Sequence, residues 1–190
     1  MSRPATVLIV PGLRDAVAEH WQTLLAEQLV AAGRPVHSVA PMGREDLDCA
    51  GRVAAIEAAA QAVDGPLIIV AHSAGCLMVA HWALGTTRRV QGALLAVPPD
   101  FERPMPAGYP TMEALAAGGW LPVPRQRLPL RSIVAASRND PLAAHERVVA
   151  LAHDWGGELV ELGAVGHLNP ASGYGPWPRA EALIAELAVP

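Results

Sequence analysis

Residues 66–77 read Pro-Leu-Ile-Ile-Val-Ala-His-Ser-Ala-Gly-Cys-Leu, an apolar run that ends in small-His-Ser-small-Gly and continues into a helix-forming stretch. A serine on a sharp strand-to-helix turn has its hydroxyl lifted clear of the sheet, beside N–H groups at the helix start that no helical carbonyl claims. Ser73 is therefore a candidate nucleophile, and the chemistry implied is acyl transfer through a serine ester. Such a turn is tight, so the residues two before and two after the serine must be small, as Ala71 and Gly75 are. Glycine usually fills both places; Ala71 asks the turn to accept one methyl group. The same residues also fit an ordinary helix N-cap serine, so the rest of the chain must supply a base and an acid.

A serine nucleophile needs a base to take its proton and a carboxylate to orient that base. After the fifth β-rich run the chain reads Ser137-Arg138-Asn139-Asp140-Pro141, a turn sequence that sets Asp140 at the carboxyl edge of a sheet. After the sixth it reads Gly163-Ala164-Val165-Gly166-His167-Leu168-Asn169, with His167 in a glycine-flanked loop. The chain order serine, acid, histidine is that of a nucleophile-elbow hydrolase. Seven histidines compete for the base role. His81, His145 and His153 fall on helical stretches, His20 and His37 on early elements, and His72 adjoins the serine but is expected to point to the opposite side of the turn. Position selects His167. Asp100, just after the fourth run, is the rival to Asp140, which itself also reads as a helix N-cap ahead of Pro141.

The negative oxygen that develops during acyl transfer needs two donors. One is expected from the N–H of Ala74, directly after the serine. The second is expected from the loop Val10-Pro11-Gly12-Leu13-Arg14, where Gly12 permits close backbone approach and Leu13 is the donor. Pro11 replaces the histidine often found before this glycine, so the backbone role survives without a side-chain contact. A plain β-to-α turn would read the same way.

The elements that must position these residues follow from periodicity. Six β-rich runs occur at Thr6–Val10, Val36–Ala40, Leu67–Val70, Ala93–Val97, Ser132–Ala136 and Glu158–Leu162. Helical spacing lies between and after them, at Ala16–Ala31, Cys49–Val63, Ala74–Leu84, Leu142–Ala152 and Arg179–Leu187. Alternation of this kind predicts an α/β fold with a six-stranded, doubly wound parallel sheet. The strand runs are almost continuously apolar, as expected when helices cover both faces. One connection breaks the rhythm: Pro98 to Pro129, with eight prolines and the apolar residues Phe101, Met105, Tyr109, Met112, Trp120 and Leu121. A long irregular segment after the fourth strand reads either as a substrate wall at the ligand-binding edge of the sheet or as a stiff loop whose aromatics pack on the core.

Composition narrows the function classes. A chain of 190 residues fits one domain, residues 1–190, able to bury a full core without metal or disulfide. A net charge of −4 gives no basic footprint for nucleic acid. All 14 basic residues are arginine, which removes P-loop, Schiff-base and Ser-Lys mechanisms. The apolar run Ala5–Val10 after Met1 is too short for a signal sequence or a membrane span, so a cytoplasmic location and no membrane partner are expected. Cys49 and Cys76 are expected as free thiols. Neither a His-Glu-x-x-His pattern nor a dinucleotide glycine fingerprint is present, so no metal and no cofactor are expected.

Val10-Pro11-Gly12, His20-Trp21, Ala71 to Cys76, Asn139-Asp140-Pro141, Gly166-His167-Leu168-Asn169 and Ser172-Gly173-Tyr174-Gly175-Pro176-Trp177-Pro178 together resemble the retinoblastoma-binding-protein-9-like serine hydrolases over essentially the whole chain. These are small α/β-hydrolases that lack the first strands of the larger fold. The resemblance implies a triad of Ser73, Asp140 and His167 and a carboxylesterase-like hydrolysis of small esters or amino-acid-derived acyl compounds. It also places Trp21 and Trp177 near the site rim, where Trp120 of the long segment is a further candidate substrate contact; all three could instead fill gaps in the packing. Tumour-suppressor binding does not carry over, because Leu47-Asp48-Cys49-Ala50-Gly51 lacks the glutamate of the Leu-x-Cys-x-Glu motif. The partner expected is a small-molecule acyl substrate, and nothing in the sequence fixes an oligomeric state. The competing functions are an acyltransferase or lyase on the same scaffold, and a non-catalytic interaction module.

Overall fold

Strands built from Val, Ile, Leu and Ala without polar alternation are stable only where both faces of their sheet are covered. The computed structural model describes residues 4–14 and 17–189, and in it four such strands, flanked by two edge strands that are more polar and less buried, form one six-stranded parallel sheet. The six are β1 (Thr6–Val10), β2 (Val36–Ser38), β3 (Leu67–His72), β4 (Gly92–Ala96), β5 (Ser132–Ala136) and β6 (Glu158–Glu161), in the order β2-β1-β3-β4-β5-β6. The helices are α1 (Trp21–Ala31), α2 (Cys49–Gln61), α3 (Ala74–Ala83), α4 (Met112–Ala117), α5 (His145–Trp155) and α6 (Arg179–Leu187), with a 3-10 turn at Pro170–Ser172. Alternate strand residues feed two cores. Leu8, Val10, Leu67, Ile69 and Ala71 pack under α2, α3 and α5. Val7, Ile9, Ile68 and Val70 pack under α1 and α6.

This order places a topological switch between β1 and β3. The helices that follow these two strands lie on opposite faces, so a crevice opens at their carboxyl ends, where Val10 pairs with Ala71. Gln22, buried on α1, spans the crevice floor: its amide donates to the carbonyls of Val10 and Val70, both at 3.1 Å.

Helix α3 is buried along its length except at His81, which requires cover on its outer side as well. The segment from Pro98 to Pro129 supplies it. Phe101, Leu115, Trp120, Val123 and Leu128 join the core around Leu77 and Trp82. His81 Nε2 donates to the Trp120 carbonyl at 3.3 Å, Trp120 Nε1 donates to the Leu47 carbonyl at 2.8 Å, and Trp155 Nε1 donates to the Pro124 carbonyl at 2.9 Å. The segment is not wholly irregular, since Thr111 caps α4 by accepting the N–H of Ala114.

Two helices begin later than the periodicity predicts. Ala16 lies outside the described residues, and α1 starts at Trp21, where His20 serves as N-cap by accepting the N–H of Gln22 on Nδ1 at 3.2 Å. Helix α5 starts at His145 rather than Leu142, because the Asp140 carboxylate takes the Leu142 N–H at 2.9 Å and turns the chain first. Among the described residues no helix is long and apolar enough to cross a membrane.

Candidate active site

Ser73 sits between β3 and α3 with φ 56° and ψ −131°, a conformation that a non-glycine residue holds only when its surroundings enforce it. Its N–H is tied to the Ala96 carbonyl at 2.9 Å and its own carbonyl accepts from Cys76 N–H at 2.9 Å. A side chain at position 75 would stand 2.7 Å from the Val10 carbonyl oxygen, so only glycine lets α3 start this close to the loop after β1. Ala71 is fully buried, and its methyl is accommodated in the core.

The Ser73 hydroxyl lies 2.8 Å from Nε2 of His167, and Nδ1 of His167 lies 2.8 and 3.0 Å from the two carboxylate oxygens of Asp140. Both side chains are almost wholly buried, at 6% exposure for His167 and 1% for Asp140. The structure thus brings together the serine, acid and histidine that chain order selected. Asp100 is directed elsewhere, with its carboxylate 2.7 Å from Nε of Arg147 on α5.

His167 belongs to no regular element, so its place is set by local contacts. Gly166 before it has φ 58°, and a Cβ there would collide with the Ser172 hydroxyl; Leu168 after it has φ 47°. The His167 N–H donates to Ser172 Oγ at 3.0 Å, and the Gly166 N–H donates to Asn139 Oδ1 at 2.7 Å. The same oxygen accepts from Ser137 Oγ at 3.1 Å. Sequence reasoning missed Asn139, Ser137 and Ser172 as builders of this loop. The Asn-Asp pair and the Ser-Gly-x-Gly run were visible, but not which backbone groups they would meet.

His72 corrects an expectation. It does not turn away from the site: its ring lies 5.0 Å from that of His167 and 4.5 Å from that of His20, and Nε2 is 2.9 Å from the His167 carbonyl. Burial, then the nearby imidazole of His167, lowers the His20 pKa from 6.5 to about 4. The same causes, with His20 added, hold His72 well below its ordinary value. Cys49 and Cys76 are free and buried; burial pushes the Cys49 thiol up to about 11 and that of Cys76 well above its ordinary value, so neither offers a thiolate near neutrality.

The two candidate oxyanion donors lie on the elements expected of them. Ala74 is the first residue of α3, where an amide has no carbonyl within its own helix to bond. Leu13 lies in a turn after β1, half-buried, one residue beyond Gly12, which packs against Ser73. Arg14 follows with its guanidinium 4.2 Å above the Tyr109 ring and Nη2 3.3 Å from the Gly108 carbonyl.

The tryptophans divide differently from the expectation. Trp120 is fully buried edge-to-face against Phe101, and Trp21, 1% exposed, packs behind His72; neither presents a surface to a substrate, because each fills core volume next to a helix. Trp177 is half-buried, edge-to-face with Trp21 at 4.8 Å.

Comparison with known proteins bears on this site. A family model described as "Serine hydrolase" matches residues 7–186. Among solved structures, a protein described as a YdeN-like hydrolase from Pectobacterium atrosepticum is 27% identical, with a TM-score of 0.81 over 97% of this chain and 91% of that one. The ydeN gene product of Bacillus subtilis shares the fold at 17% identity and a TM-score of 0.77, over 96% of this chain and 98% of that one. Est1E from Butyrivibrio proteoclasticus, bound to ferulic acid, shares it at 14% identity and a TM-score of 0.69, over 97% and 86%. The α/β-hydrolase architecture expected from the sequence is therefore the observed one. No curated protein matches the chain.

Proposed function

The chain belongs to the serine hydrolase family, and on that premise we propose that it cleaves small carboxylic or amino-acid-derived esters or amides through an acyl-enzyme on Ser73. The observation that carries this reading is the continuous hydrogen-bonded line from Ser73 Oγ through His167 to Asp140, at 2.8 Å on each side of the imidazole. A carboxylate can only accept, so Asp140 favours the tautomer with the proton on Nδ1 and leaves the Nε2 lone pair facing Ser73. His167 takes the Ser73 proton as Oγ attacks the acyl carbon, and Asp140 stabilises the imidazolium. The N–H groups of Ala74 and Leu13 receive the negative charge on the carbonyl oxygen. The imidazolium then gives its proton to the leaving alcohol or amine, and water, activated by the same imidazole, releases the acid. The closer kinship to retinoblastoma-binding-protein-9-like hydrolases rests on the Gly166–Asn169 and Ser172–Pro178 motifs, and the acyl class proposed rests on that kinship.

The test is labelling of the purified protein with a fluorophosphonate probe, with Ser73→Ala as control, alongside turnover of nitrophenyl esters of increasing acyl length. Labelling that disappears in Ser73→Ala, with turnover of the esters, supports the reading. A folded wild-type protein that neither labels nor turns over any ester overturns it in favour of an interaction role.

A further inference from the structure

His72 stands between the nucleophile strand and the base loop, and the reaction above assigns it no part. It is 5% exposed, and Trp21 and His20 pack against its ring with centroids at 6.0 and 4.5 Å. We propose that His72 is a positioning residue: its Nε2–H holds the main-chain carbonyl of His167 and thereby sets where the imidazole stands relative to Ser73. This rests on the reading of Ser73 as nucleophile and His167 as base.

Three observations carry it. A carbonyl oxygen can only accept, so the 2.9 Å contact with the His167 carbonyl puts the His72 proton on Nε2. Burial and the two neighbouring imidazoles keep that ring neutral, so it holds the carbonyl without adding a charge beside the imidazolium that forms at His167. Next, His167 has no strand or helix to hold it, since Gly166 and Leu168 on either side are both left-handed. The His167 peptide groups are instead pinned by Ser172 Oγ on the N–H and by His72 on the C=O. Finally, His72 and Ser73 are consecutive. One residue grips the base by its main chain and the next by its side chain at 2.8 Å, so movement of the β3 end carries nucleophile and base together. Reaction geometry of this kind is sensitive, with about a hundredfold in rate at stake for a misplacement of about 1 Å.

The experiment compares His72→Gln, whose amide N–H can reach the same carbonyl, with His72→Met, which has similar length and no donor. The expected result is a loss of about tenfold to a hundredfold in kcat and in fluorophosphonate labelling rate for His72→Met. KM is expected to stay within about twofold, and His72→Gln to recover most of the loss. Full activity in His72→Met, or equal losses in both variants that follow equal losses in melting temperature, overturns the proposal and leaves His72 a space-filling side chain. His167→Ala is the control for the underlying reading: if it keeps turnover, that reading fails, whatever the His72 variants do. Nitrogen-15 NMR of the wild-type imidazoles tests the bond without any substitution. The Nε2–H tautomer of His72 is expected, and an Nδ1–H tautomer overturns the proposal even if both variants fail to fold.

Discussion

Gly12 and Ser73 lie in contact: a Cβ on Gly12 would stand 3.1 Å from the Cβ of Ser73 and 3.5 Å from its hydroxyl oxygen. That spacing is tighter than side chains normally accept, so Gly12→Ala must push the loop carrying Leu13 away from the elbow. The φ of Gly12 is not left-handed, so the substitution brings no backbone strain of its own. On the oxyanion role proposed for the Leu13 N–H, the expected outcome is a fall in kcat of about tenfold or more, with little change in melting temperature. Steady-state kinetics beside a thermal melt checks it.

Asp140→Asn separates the charge of the acid from its shape. The Asp140 oxygen that accepts the Leu142 N–H has a counterpart in asparagine, so the turn before α5 should persist. The amide NH2, however, would face His167 Nδ1 and drive the imidazole proton to Nε2, where it blocks transfer from Ser73. A loss of about a thousandfold to ten-thousandfold in kcat is expected, with the fold intact by circular dichroism.

The segment that begins at Pro98 leaves the end of β4, yet Gly108 and Tyr109 meet Arg14 in the loop after β1. Strand β3 lies between β4 and β1, so the segment passes beside the carboxyl end of β3, which Ser73 follows. Tyr109→Ala removes the ring on which Arg14 rests. It is expected to raise kcat/KM for long-chain nitrophenyl esters relative to the acetate by about fivefold, at a stability cost on the order of 1 kcal/mol for a cation–π contact between exposed Arg14 and half-buried Tyr109. The ester series measures the ratio directly.

The pKa of His20 is lowered to about 4 in the folded protein, against 6.5 for an unperturbed histidine. Between these values the unfolded chain binds a proton that the folded protein refuses. Stability is therefore fully present above about pH 6.5 and is lost as pH falls towards 4, on the order of 3 kcal/mol for this group. His20→Asn keeps an acceptor for the Gln22 N–H but cannot titrate, so its melting temperature should depend less on pH across that window. Some slope should remain, because His72 is lowered as well.

The strands were legible because each apolar run stands between glycine, proline or polar punctuation, and their observed bounds differ by two residues or fewer. The helix starts were harder to read. His20 is an uncommon N-cap, so the apolar residues before it extended the apparent period. Helix α4 was hidden by flanking prolines, although Pro110-Thr111 ahead of Met112 was a usable signal. Ser73, Asp140 and His167, which the fold brings within hydrogen-bonding distance of one another, could be singled out as candidates because chain order constrains them. Their supports could not: the contacts of Asn139 with Gly166, and of His72 with the His167 carbonyl, join residues 27 and 95 positions apart that only the sheet order brings together. Trp21 and Trp120 stayed open between two readings for a related reason, since a tryptophan in a sequence does not reveal whether its ring faces a rim or a core, and both prove buried.

The long connection has two parts that would respond differently to engineering. Phe101 and residues 111–129 are the outer wall of α3, and loosening them would expose an apolar helix to solvent and to other copies of the protein. Residues 106–110 reach Arg14 in the loop after β1 and bury no side chain in that wall. A library that seeks new acyl preferences should diversify residues 106–110 together with Arg14, where altered shape is decoupled from solubility, and leave the rest of the connection, with Glu102 and Met105, as scaffold.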